Sequence, residues 1–81
     1  MNKRQFHQLV IRELVKLRRD KYAMEAKAVW TARRVRQYLR VGNREQAEAH
    51  KAAAKDMAMT VDFIQGEIEQ LHSRLNRVLA A

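Results

Sequence analysis

An 81-residue chain with no cysteine, no proline and only two glycines, Gly42 and Gly66, is one small domain at most, without a disulfide or thiolate site to staple it and with little punctuation for turns. Its 47% hydrophobic and 32% charged residues, rich in Ala, Leu, Lys, Arg, Glu and Gln, exclude disorder and sheets in favour of long helices, so an all-α fold is expected. A net charge of +8 directs attention to acidic partners, and a chain this short is expected to lean on a partner or a second copy for stability.

The longest early apolar run is Leu9-Val10-Ile11, cut at once by Arg12 and Glu13. It is too short for a membrane span or a signal-peptide core, so no membrane association and a cytoplasmic location are expected. A basic amphipathic start also suits mitochondrial targeting, but serine is nearly absent and Glu13 and Asp20 intrude.

A first helix is expected over about 3–41. Phe6, Leu17, Ala28 and Leu39 recur every eleven residues, and Val10, Leu14, Met24, Ala32 and Val35 fill the same face, with Lys21 and Thr31 as polar intruders. Lys21 can bury its stem there and lift its ammonium to water. Val41-Gly42-Asn43 follows: Gly42 suits the left-handed position that ends a helix, and Asn43 with Gln46 has the spacing of a capping box. A turn at 42–43 and a second helix over about 44–79 are expected. In that helix Ala47, His50, Ala54, Met57, Val61, Ile64, Ile68, Leu71, Leu75 and Val78 alternate in steps of three and four, a heptad seam with His50 its polar member.

Folded back on itself, such a chain is an antiparallel helical hairpin, coiled-coil-like, in which residue i lies near residue 85 − i. Met57 then meets Ala28, Val61 meets Met24, Ile68 meets Leu17, Leu71 meets Leu14 and Leu75 meets Val10. His50 is expected to face Val35, as a core residue that fixes register. One continuous helix in a parallel coiled coil is the alternative, and it needs Gly42-Asn43 to be tolerated mid-helix.

Beside the main stripe lie Val15, Tyr22, Ala26 and Val29, with Trp30 further round, and on the second helix Ala52, Met59, Phe63 and Gly66. Two such stripes look like surfaces that are covered, so Val15, Tyr22, Val29, Trp30, Met59, Phe63 and Gly66 are expected at an interface. Either a homodimer forming a four-helix bundle or a helical protein partner would cover them. The simpler reading has Tyr22 and Trp30 lying flat on their own hairpin beside arginine stems.

Chemistry-bearing residues are few. One serine, two threonines, three histidines and no glycine-rich phosphate loop argue against an enzyme, a small-molecule substrate or a cofactor. Glu69-Gln70-Leu71-His72 is an E-x-x-H on a helix, and Glu13 is expected opposite His72, the elements from which four-helix bundles build di-iron sites. Glu69 and His72 flank the seam, however, and a Glu13 to His72 hydrogen bond at the core edge is the plainer expectation; no metal is expected.

The charge is concentrated. Residues 1–44 hold thirteen Lys and Arg against three acids, and residues 45–81 hold four against six, so the two halves are expected to attract weakly. On the outward face of the first helix Arg12, Lys16, Arg19, Lys27 and Arg34 cluster, with Arg33 and Arg40 adjacent. That stripe suits an acidic protein surface, in an accessory, chaperone-like or inhibitory role. It also suits a phosphate backbone, with Trp30 or Tyr38 able to stack on an unpaired base; a straight helix of about 54 Å would then bind with low sequence specificity.

Overall fold

The polar residue at each helix start does the capping that the sequence allows. In the computed structural model, which describes residues 2–81, Asn2 accepts the Gln5 N–H at 2.8 Å while Gln5 Oε1 accepts the Asn2 N–H at 3.1 Å. This complete capping box opens α1, Lys3–Arg40. Helix α2, Arg44–Ala80, opens on Asn43, whose side chain accepts the Gln46 N–H at 3.2 Å. The expected return bond from Gln46 is not made, because the Asn43 N–H is already taken by the Tyr38 carbonyl at 2.9 Å.

That bond belongs to the turn. The Asn43 N–H reaches Tyr38 O and the Gly42 N–H reaches Leu39 O at 3.1 Å, the paired bonds that close a helix around a left-handed residue. Gly42 has φ +76° and supplies that conformation at no steric cost. Val41 is the C-cap of α1. The two helices lie side by side in a rod with extents of 60 × 15 × 14 Å. This is the hairpin and not one continuous helix.

All ten expected seam residues of α2 are buried or half-buried. On α1 the inward residues are Val10, Leu14, Leu17, Lys21, Met24, Ala28, Thr31, Val35 and Tyr38, again in steps of three and four. The eleven-residue repeat therefore fails toward the turn: Ala32 is exposed, Leu39 is 55% exposed, and Thr31 and Tyr38 occupy the inward places. A helix packed along a strict heptad partner must follow the same supercoil, and an eleven-residue stripe drifts out of it.

The best-sealed core lies away from the turn, where Val10, Leu14 and Leu17 meet Ile68 and Leu75, flanked by Phe6, Ile64 and Leu71. Toward the turn Ala47, at 2% exposure, and half-buried Ala28, Ala53 and Ala54 let the helices approach closely. Thr31 is buried among them, its hydroxyl donating to Lys27 O at 2.8 Å with Met57 Sδ at 3.6 Å. Lys21 stays half-buried and donates from Nζ to Gln65 Oε1 across the seam at 2.8 Å.

The register differs from the expected one. Contacts join Lys21 to Gln65, Thr31 to Met57, Tyr38 to His50 and Arg18 to His72, so side chain i meets side chain 88 − i, give or take two. His50 packs on Tyr38, one helical turn beyond the expected Val35, and His72 bonds to Arg18 and not to Glu13. The cause is the tilt of helical side chains toward the N-terminus, each covering the surface about one position before its own Cα. In an antiparallel pair the two tilts add, which moves contacts by about two residues, and the reach of the Lys21 and Arg18 side chains spreads the individual pairs around that value.

Candidate interaction surface

Charge is left over once the hairpin has formed. Among the described residues one ion pair is made, Lys21 Nζ to Glu25 Oε1 at 3.7 Å within α1. No ion pair joins the helices there, so the expected attraction of the two halves resolves into polar contacts: Lys21 with Gln65, and Arg18 Nη2 donating to His72 Nε2 at 3.0 Å. Arg12, Lys16, Arg19, Lys27, Arg33 and Arg40 are exposed on α1.

Arg34 departs from the expected outward face. It is half-buried, with its guanidinium carbon 5.0 Å from the Trp30 ring centroid and 5.8 Å from that of Tyr38. Its Nη1 donates to Gln37 Oε1 at 3.4 Å, and its buried Nε has no hydrogen-bond partner. Residues four apart are neighbours on a helix, so Trp30, Arg34 and Tyr38 form one ladder, held by cation–π attraction. The His50 ring extends it across the seam, 4.9 Å from Tyr38. The sequence carries the signal in its aromatic–arginine–aromatic spacing, which the outward assignment of Arg34 overlooked.

The residues considered for a metal do not converge. His72 and Glu69 line one groove of the hairpin with Arg18, Lys21 and Gln65, while Glu13 lines another with Leu17, Glu67, Leu71 and Arg74. His72 Nε2 is occupied as an acceptor from Arg18, and Glu69 Oε1 accepts from Gln65 at 3.3 Å. The Glu13 to His72 hydrogen bond is therefore absent, since the two face different edges.

The expected interface residues also divide. Tyr22, Val29 and Trp30 come together, lining one shallow hollow with Glu25, Ala26 and Arg33. Tyr22 is 75% exposed and stands largely in water, while Trp30, 56% exposed, has part of its indole covered by Arg34, as the reading of a ring laid beside an arginine stem expects. Val15 is exposed further along α1. On α2, Met59 and Phe63 are exposed one turn apart, at 62% and 67%. Gly66 lies in a separate hollow with Glu69, Gln70, Ser73 and Arg77, and a Cβ built on it would meet nothing within 4 Å.

No helix is long and apolar enough to cross a membrane among the described residues. Compared with protein families, with curated proteins and with solved structures, the chain matches none.

Proposed function

We propose that this chain is a non-enzymatic helical-hairpin interaction protein that binds an acidic protein surface through the basic outer face of α1. The observation that carries the reading is the row of exposed bases along α1, Arg12, Lys16, Arg19, Lys27, Arg33 and Arg40, set against a single ion pair among the described residues. Charge not neutralised within the fold is available to steer and orient a partner. The exposed apolar side chains beside it would give such a partner something to bury. Self-pairing into a four-helix bundle remains part of the proposal, with Gly66 permitting close approach.

A triple charge reversal, Arg12→Glu, Arg19→Glu and Arg33→Glu, tests it. These side chains are exposed, so the hairpin should fold as before while affinity for polyglutamate falls at least tenfold. Unchanged affinity for polyglutamate defeats the proposal.

Direct binding of DNA or RNA is the second reading, favoured by Trp30, half-exposed beside a basic row and able to stack on an unpaired base. Random-sequence duplex or single strand should then bind with a log-log salt slope near −0.9 per duplex phosphate contacted or about −0.7 on single strands. No binding at low salt would remove this reading.

A further inference from the structure

Along the back of α1 the positions 12, 19, 26, 33 and 40 are seven apart and hold Arg, Arg, Ala, Arg and Arg. Seven residues are two turns, so these side chains form one line with steps of about 10.5 Å, and Ala26 is its gap. Around the gap stand Tyr22, Val29 and Trp30, three or four residues away. The hollow lined by Tyr22, Glu25, Ala26, Val29, Trp30 and Arg33 has the outline of two adjoining four-residue holes, 22-25-26-29 and 26-29-30-33. Holes of that shape receive side-chain knobs from another helix, and adjoining holes receive knobs one turn apart.

The chain itself carries such knobs. Met59 and Phe63 are four residues apart and among its most exposed apolar side chains. They lie in residues 56–73, which hold Asp56, Asp62, Glu67 and Glu69 and no Lys or Arg. They point away from the seam, on the edge of the hairpin opposite the α1 line, so one copy cannot fill its own holes.

We infer that α2 of one copy docks by Met59 and Phe63 into the Ala26-centred holes on α1 of the next, joining hairpins head to tail. The inference rests on the reading of α1 as an acid-binding face and names the acidic helix. Antiparallel seating of the two knobs brings Asp56 level with Arg33, Glu69 with Arg19 and Glu48 with Arg40. That is the register the hairpin uses internally, so neighbouring rods lie alongside without stagger. Lys55, level with Arg33, and Arg77, level with Arg12, oppose the docking and keep it modest and salt-sensitive. An edge about 60 Å long and 14 Å wide presents an area of the order of the ~800 Å² that each partner contributes to a stable interface. Because the two surfaces differ, the contact is heterologous; it takes the place of the closed four-helix bundle as the form of self-pairing and extends beyond a dimer unless it closes into a ring.

Complementation tests it. Ala26→Glu fills the holes with a charge and leaves the knobs; Phe63→Glu removes a knob and leaves the holes. Both sites are exposed, and circular dichroism would confirm that each variant folds. In sedimentation at low salt, wild type should exceed dimer mass as concentration rises. Each variant alone should stay near the 9.6 kDa monomer, and an equimolar mixture should give a one-to-one dimer. Wild type that remains monomeric, or variants that fail to complement, would overturn the docking. Polyglutamate binding is measured on the same samples: a monomer that still binds it loses only the head-to-tail inference, and one that does not loses the acid-binding reading too.

Discussion

Tyr38 and His50 face each other across the turn end of the hairpin with ring centroids 4.9 Å apart and planes inclined at 48°. The His50 Nδ1–H donates to Gln46 O at 2.9 Å, which fixes the ring on its own helix beside Tyr38. Tyr38 receives the Arg34 cation from the other direction. The last inward residue of α1 is thus aromatic and polar-tipped, while the neighbouring Leu39 is left mostly in water.

Replacing each in turn should reverse the ranking that hydrophobicity alone suggests. Tyr38→Ala removes half-buried ring contacts worth about 0.5–1.5 kcal/mol beyond burial and should cost about 1–2 kcal/mol. Leu39→Ala, at an exposed site, should stay within about 0.5 kcal/mol. At roughly 4–8 °C per kcal/mol for a domain of this size, thermal melts separate the two. Equal effects would mean that Leu39 is covered.

This pair also shows how far the sequence can be read. The strict heptad of α2, from Ala47 to Val78, and the turn at Gly42-Asn43 were legible because periodicity and positive φ are properties of the chain itself. Leu39 against Tyr38 was not, because which of two adjacent apolar residues faces inward depends on the supercoil imposed by the other helix. The partners of His50 and His72 were missed for a different reason: numbering pairs from the turn follows the backbone and neglects the tilt of side chains. Arg34 was misplaced because its nearest favourable neighbours, Trp30 and Tyr38, lie on its own helix.

Leu14, at 2% exposure, is the largest fully buried side chain. Leu14→Ala should cost about 2–5 kcal/mol through lost burial and the cavity left behind. Total stabilities are commonly about 5–15 kcal/mol, and a hairpin with one narrow core belongs at the low end. Urea titration of this variant is expected to show a much earlier midpoint, or no folded baseline.

The two glycines should respond in opposite directions. Gly42→Ala forces a Cβ into the left-handed region at φ +76° and should destabilise by about 1–2 kcal/mol. Gly66→Ala meets open space within the hairpin and should stabilise the helix by about 0.8–1 kcal/mol. If Gly66 serves the close approach of another copy, the same substitution weakens association while raising the thermal midpoint of the monomer. Gains in both would remove Gly66 from any interface.

Arg33 and Arg34 are sequence neighbours with different surroundings, and fluorescence of the single tryptophan can tell them apart. Arg34→Ala strips the cation from Trp30 and should change its emission in the free protein, with a stability loss of about 0.5–1 kcal/mol. Arg33→Ala should leave stability unchanged and act only on partner affinity. A partner seated over Ala26 must also cover Trp30, so binding should shift its emission to the blue in wild type. Identical behaviour of the two variants would show that the ladder does not persist in solution.

Lys21 and Gln65 put polar groups into an otherwise apolar stretch of the seam, joined at 2.8 Å between Met24 and Ile68. A single polar position inside a heptad seam costs stability and specifies register, because slipped or alternative pairings leave it without its partner. Replacing both by leucine should therefore raise stability, by about 1 kcal/mol or more for the added burial, and loosen the pairing. The expected signature is a higher thermal midpoint together with a broader distribution of masses in sedimentation, as hairpins open and exchange helices. Lys21→Leu alone should do less, since Gln65 would lose its donor yet remain within reach of Glu69. A double variant that is more stable and equally uniform would show that the remaining seam, with its small residues at the turn and bulky ones at the open end, is enough to fix the register.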